Sequence, residues 1–345
     1  MLTRRELLQA LASTAVLGTP RVPSAVCGDR DLVEAAVKKI AARKLHTDRH
    51  TPWVIMHAVI AFGQAVRVLE PALGRELPAV HYLLRHARYG GRRIFRVVDG
   101  LPALPPRERF FQIQDHVDQY LMAFATAGVP LTEKLIAEGE REFHLVDLLR
   151  SSQRSFRPDQ ELAWTLVAYY HYLPLDARWK TSTGESYDLD QLLRLALERD
   201  PRRETEGGVH HLYGVAFAVE RIRAAGAEPV ALSLRTVQRQ ASAYLARYVE
   251  LARRFQQPDG SFSAAVFRGA LPAQSPRQLV SVTGHMLEWL CRALSPTDRR
   301  AEWIRRAVER VANSILATPL SRLSDGGMYH AAHGLRLWQE RTEPA

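Results

Sequence analysis

Cysteine is scarce in this chain. Two occur in 345 residues, Cys27 and Cys291, so no disulfide framework organises the fold. Long apolar runs are missing as well. None reaches the ~18 residues that a membrane-spanning helix requires, and no transmembrane segment is expected. Strand-type alternation is rare, which leaves an all-α class. No phosphate loop, dinucleotide fingerprint or serine nucleophile elbow is present, so the sequence gives no sign of the chemistries that those motifs serve. Acidic residues are in deficit, 37 Asp and Glu against 47 Lys and Arg, for a formal charge of +10. The arginines alternate with Glu and apolar residues in stretches such as RQASAYLARYVELARRF and RRAEWIRRAVERV, the pattern of solvated helix faces. With no reader motif beside the charge, a nucleic-acid partner is not expected. Attraction to anionic polymers, including acidic polysaccharide, remains.

What is present is a rhythm. Six apolar helical stretches begin near Trp53, Ile113, Glu161, Gly208, Val282 and Gly327. They read WVIMHAVIAFG, IQDHVDQYLMAFATAG, ELAWTLVAYYHYL, GVHHLYGVAFAV, VTGHMLEWLCRAL and GGMYHAAHGLRLW. A more polar amphipathic helix precedes each, at about 30–44, 76–88, 132–141, 188–199, 233–255 and 298–317. One such hairpin cannot bury its apolar face, whereas six sharing a core can. The expected fold is therefore an (α/α)6 toroid, a single domain over 27–345, with six parallel inner helices whose N-termini open on one rim. Asp29, Asp188 and Asp298 are expected N-caps of three outer helices. Cys291 reads as core. The stretches 90–110 and 256–280 are long enough to be functional loops, and 143–160 has room for a short extra helix.

Residues 1–26 resemble a twin-arginine export signal. Arg4 and Arg5 precede a modest apolar core, QALASTAVLG, with Arg21 after it. That resemblance implies export in the folded state to a periplasmic or extracellular location, with Cys27 at the processing site or in the mature tail.

A second resemblance lies in the last third of the chain. Gln256, Gln257-Pro258-Asp259-Gly260-Ser261-Phe262 and then Val282-Thr283-Gly284-His285 are similar to the repeat of terpenoid cyclases and protein prenyltransferase β subunits. The segment from Gly327 to Leu335 resembles the last prenyltransferase repeat around its zinc-binding histidine. Against the Asp, Cys and His that hold zinc in that family, this chain has Thr283, His285 and His330. Two of three ligands are changed, so neither prenyl transfer nor terpene cyclisation is implied. The string Asp188-Leu189-Asp190-Gln191 stands nearest the acid motif of the cyclases but reads as a helix cap. DHVDQ, GGVHHLYG, TGHMLEWL and YHAAHGL together look like a group of exported planctomycete proteins, a likeness that carries no activity with it.

Six helix N-termini on one rim favour an anion, and histidines sit near those ends: His57, His116, His210, His211, His285 and His330. Neutral imidazoles there suit a base or a metal ligand. Asp115 and Asp118, three residues apart, share a helix face. With His116 they form an acid/base set or, alternatively, helix-start carboxylates complementing the dipole. His210 and His211 point about 100° apart, so one of them faces the axis. Glu288, one turn after His285, is a buried acid or an orienting partner. The expected catalytic residues are Asp115, His116, Asp118, His211 and Glu288. Substrate contacts are expected from Trp53, His57, Trp164, Tyr329 and Arg49, with Arg92 and Arg93 as further anion binders. His285 and His330, with one of His57, His211 or Asp118, are candidate zinc ligands.

Three functions are compatible with this set. The first is an acid/base enzyme, of glycoside hydrolase or polysaccharide lyase type, acting on an anionic oligosaccharide or other small molecule. The second is a metal-dependent transferase or hydrolase for an isoprenoid-like substrate. The third is a non-catalytic module that binds a ligand or partner.

Overall fold

The structure, a computed structural model, describes residues 28–105, 113–226 and 231–342. The stretch read as an export signal, Cys27 and part of the 90–110 stretch lie outside the described residues. Thirteen α-helices and a few short strands make it mostly helical. In chain order the helices are α1 (Asp29–Ala41), α2 (Pro52–Phe62), α3 (Ala79–Arg85), α4 (Gln119–Thr126), α5 (Leu145–Ser155), α6 (Ala163–Tyr172) and α7 (Leu189–Leu197). They continue with α8 (Val209–Ala224), α9 (Leu232–Arg254), α10 (Pro276–Ala293), the single turn α11 (Pro296–Arg299), α12 (Glu302–Ala317) and α13 (Asp325–Thr342). No described helix is long and apolar enough to cross a membrane.

The helices fall into two kinds. In α2, in α6 and in α8 as far as Val219, nearly every residue is buried, the mark of a helix surrounded by other elements. In α1, α5, α9 and α12 a single stripe is buried, such as Val33, Ala36 and Ile40 in α1 and Leu145, Leu148 and Leu149 in α5. The apolar helices pack in sequence order, α2 on α4, α4 on α6, α6 on α8, α8 on α10 and α10 on α13, and α13 returns to pack on α2. The amphipathic helix α12 contacts α1, α10 and α13. Cys291 is buried on α10.

The strands correct the sequence reading. Residues 132–141, expected as a helix, form an antiparallel hairpin of Lys134–Ala137 with Arg141–His144. The amphipathic helix of that unit is α5, within the stretch that had room only for an extra helix. The reason is Gly139, at φ 72, which turns the chain back inside what otherwise reads as helical periodicity. The same device recurs. Arg67–Glu70 pairs with Arg75–Pro78 before α3, and Arg178–Lys180 pairs with Ser186–Asp188 before α7. Each hairpin delivers the chain to a helix whose first buried residues occupy equivalent positions: Ala79, Tyr82 and Leu83; Leu145, Leu148 and Leu149; Leu189, Leu192 and Leu193. The second, third and fourth units thus share a hairpin-then-helix form that the sequence reading did not separate from helix alone. Of the three expected caps, Asp188 does cap, in a box with Gln191. Asp29 lies in the first turn of α1 and pairs with Arg305, and Asp298 is in α11 beneath the Ser295 cap.

Candidate functional site

Five imidazoles converge where the apolar helices meet. His57 comes from α2, His116 from the turn before α4, His210 from the second residue of α8, His285 from the middle of α10 and His330 from α13. All are buried, none more than 7% exposed. Ring centroids lie 4.1 Å apart for His285 and His330, 4.8 Å for His116 and His210, and 5.0 Å for His210 and His285. His57 and His210 stand 5.2 and 5.3 Å from His330.

Small residues allow this convergence. A Cβ on Gly284 would come 2.5 Å from Ala331 Cα, and one on Gly334 would lie 2.9 Å from the carbonyl oxygen of Gly284. The backbones of α10 and α13 therefore nearly touch, which brings His285 beside His330. The approach to α8 is equally constrained. Glu206, Gly207 and Gly208 adopt successive φ values of 50°, 65° and 89°, and a Cβ on Gly208 would meet Pro201 O at 2.2 Å. This left-handed turn starts α8 so that His210 points inward.

The rings are held by their other nitrogens. His57 Nδ1 donates to Trp53 O at 2.8 Å and His285 Nδ1 to Ser281 O at 2.7 Å. A carbonyl acceptor requires the proton on Nδ1, leaving the Nε2 lone pair available. For His57 that lone pair accepts from Gln119 Nε2 at 3.4 Å. Glu288 receives His330 Nδ1 at 2.9 Å and His333 Nδ1 at 2.7 Å, and His116 Nδ1 lies 2.9 Å from Glu161. Thr205 donates to the other oxygen of Glu161. His210 differs from the rest: both of its ring nitrogens are buried without a partner.

Burial, reinforced by neighbouring imidazoles, pushes His57 and His210 well below the usual histidine pKa. The same causes bring His285 down to about 4 and lower His330. These rings are neutral at pH 7, the form that ligates metal. Among the described residues, two groups can hold a metal ion. His210, His285 and His330 have ligand atoms within 4.8 Å of one another, and so do His116, Glu161 and His210.

Above the cluster opens a cavity of about 490 Å³. Its wall includes Trp53, Asp115 and Glu206, and its rim includes Ser275, Arg277, Gln278 and Ser324 from the starts of α10 and α13.

Of the expected residues, His57, His116, His285, His330, Trp53 and Asp115 line this one cavity. Trp164 lies beneath, its ring 4.5 Å from His210. Other expected residues are elsewhere. Helix α4 begins only at Gln119, so Asp115 and Asp118 share no helix face. Asp115 lines the cavity, whereas Asp118, at φ 59, turns to accept a bond from Thr165 at 2.6 Å beside a separate 300 Å³ pocket. Burial raises its pKa. His211 faces outward, its Nε2 3.2 Å from the Tyr244 hydroxyl on α9. Tyr329 borders a different pocket with Arg43 and Phe62. Arg49 is exposed before α2 and Arg93 pairs with Glu140; neither these nor Arg92 lines the cavity. Glu288 orients His330 and His333, not His285. Thr283 accepts from the Phe262 N–H at 3.2 Å and is occupied with its loop. Glu161 and Glu206 were missed as site residues, and His210 was not singled out from the histidines of the rim.

Against known proteins, no family model matches this chain, no curated protein matches it, and no solved structure matches it.

Proposed function

We propose that this chain is an exported six-hairpin toroid that holds a zinc-type ion at the floor of its cavity and hydrolyses an anionic substrate. The observation that carries the reading is the trio of His210, His285 and His330: three buried, neutral imidazoles with ligand atoms in mutual reach beneath an open cavity. The cyclic packing order of the six apolar helices supports the toroid, and the arginine pair near the N-terminus supports the export route.

The donor set fits zinc, which takes imidazole nitrogens at about 2 Å and leaves a position open at catalytic sites. Such an ion supplies Lewis acidity and lowers the pKa of water. The rest is work for the chain. Glu288 fixes the His330 ring through Nδ1, and Ser281 fixes His285. Asp115 and Glu206, on the cavity wall, are placed to take up or return a proton. Glu206 sits in left-handed backbone, a strain found at functional sites. Arg277 and the N-termini of α10 and α13 give the rim a positive bias for a carboxylate, sulfate or phosphate group. This polar rim favours a charged sugar or similar small molecule over an isoprenoid-like one.

The test is turnover of anionic oligosaccharides by the full chain before and after chelation. Loss of activity on chelation and recovery with Zn²⁺ is expected. Full activity in metal-free protein would overturn the reading and favour a second one, metal-free acid/base catalysis by His116. That alternative rests on the Glu161 carboxylate, which holds His116 Nδ1 as an orienting group holds a general base.

A further inference from the structure

We infer that the cluster is a two-ion centre in which the His210 ring bridges the ions, one held with His285 and His330 and the other with His116 and Glu161. The inference rests on the metal reading above and extends it.

The starting point is the hydrogen-bond accounting of the imidazoles. His57, His116, His285, His330 and His333 each commit Nδ1 to a carbonyl or carboxylate. His210 commits neither nitrogen, although it is 3% exposed and both atoms are buried. A neutral imidazole always carries one N–H, and burying that donor without an acceptor is costly. One ion on one side of the ring satisfies only the lone pair and leaves the N–H stranded. Two ions satisfy both nitrogens.

The surroundings match that demand. The two candidate ligand groups share His210 and no other residue. The His210 ring stands edge-on to His116, at 89° between planes, and only 43° and 36° from His285 and His330. Trp164 packs against it at 4.5 Å, which limits ring rotation. The second group also contains the carboxylate that a first ion would not use. Glu161 supplies a carboxylate to the second group and Glu288 backs His330 in the first, so each ion has one anionic residue within its ligand set or immediately behind it. On binding, the His210 N–H proton is released to solvent and the resulting imidazolate donates one lone pair to each ion.

The experiment is metal titration of the metal-free full chain, with Zn²⁺ for stoichiometry and Cu²⁺ for electron paramagnetic resonance. We expect about two equivalents of zinc per chain, falling to one in His285→Ala and to one in Glu161→Gln. Two Cu²⁺ ions on one ring should show a magnetically coupled spectrum in unmutated protein, a readout that needs no variant to fold. One equivalent in the unmutated chain, lost in His285→Ala, would keep the single-ion reading and overturn the bridge. Two equivalents with uncoupled Cu²⁺ spectra would also overturn the bridge. No bound metal would overturn both.

Discussion

The lowered affinity of the buried imidazoles for protons has a direct consequence for stability. His285 titrates near 4 in the folded chain against 6.5 in the unfolded one. Above pH 6.5 both states are neutral there. As the pH falls from 6.5 toward 4, the unfolded chain binds a proton that the folded chain refuses, so stability is lost by about 1.4 kcal/mol per pH unit for each such ring. His57 and His210 shift in the same direction. Metal-free protein should therefore show urea midpoints that are flat above pH 7 and fall steeply below pH 6.5; a flat profile down to pH 4 would count against a buried neutral cluster. Glu288 gives a second prediction. Its carboxylate serves two histidines, and Glu288→Gln should weaken zinc binding about 10- to 100-fold while the far-ultraviolet circular dichroism stays unchanged. The sequence could show that histidines recur near the ends of apolar helices. It could not say which of His210 and His211 faces the axis, because neighbouring helical positions look alike until a helix start is fixed, and Glu206 to Gly208 fix it through backbone angles. The pairing of His116 with Glu161, 45 positions apart, has no local signature.

At the scale of elements, α10 and α13 approach closely enough to position two of the imidazoles. Gly284→Ala places a methyl 2.5 Å from backbone at Ala331, where no flexible side chain can yield. The helices must separate, at a cost of about 1–3 kcal/mol for overpacking, and His285 must move away from His330. Both a lower Tm and weaker metal binding are expected in thermal melts run with and without zinc. A lower Tm with unchanged metal affinity would show that the crossing does not set the ligand geometry. The apolar helices were legible in the sequence because burial on all sides leaves few polar positions to confuse the pattern. The amphipathic helix α5 was not. Its preceding strands are short and charged, and only Gly139 betrays the turn. Asp118 was misread for a related reason: its left-handed backbone precedes α4, so a helical spacing argument did not apply to it.

At the scale of the whole molecule, α13 packs on both α1 and α2 and so joins the last hairpin to the first. On the toroid reading proposed above, that contact would tie every hairpin to two neighbours, unlike an open array whose end units fray. Unfolding of the described chain should then be a single transition, with circular dichroism and tryptophan fluorescence coinciding. Separate transitions would show that the hairpins are energetically independent. Zinc should raise that one midpoint in proportion to the logarithm of its free concentration.

The positions of the ligands along the chain also set a schedule. Synthesis runs from the N-terminus, and His330 is added well after His210 and His285. Until then His210 and His285 have no third imidazole, and the crossing at Gly284 has no partner helix. A nascent chain that has not yet made α13 therefore cannot assemble this trio. On the zinc reading proposed above, the metal would be chosen in whichever compartment holds the chain when α13 docks.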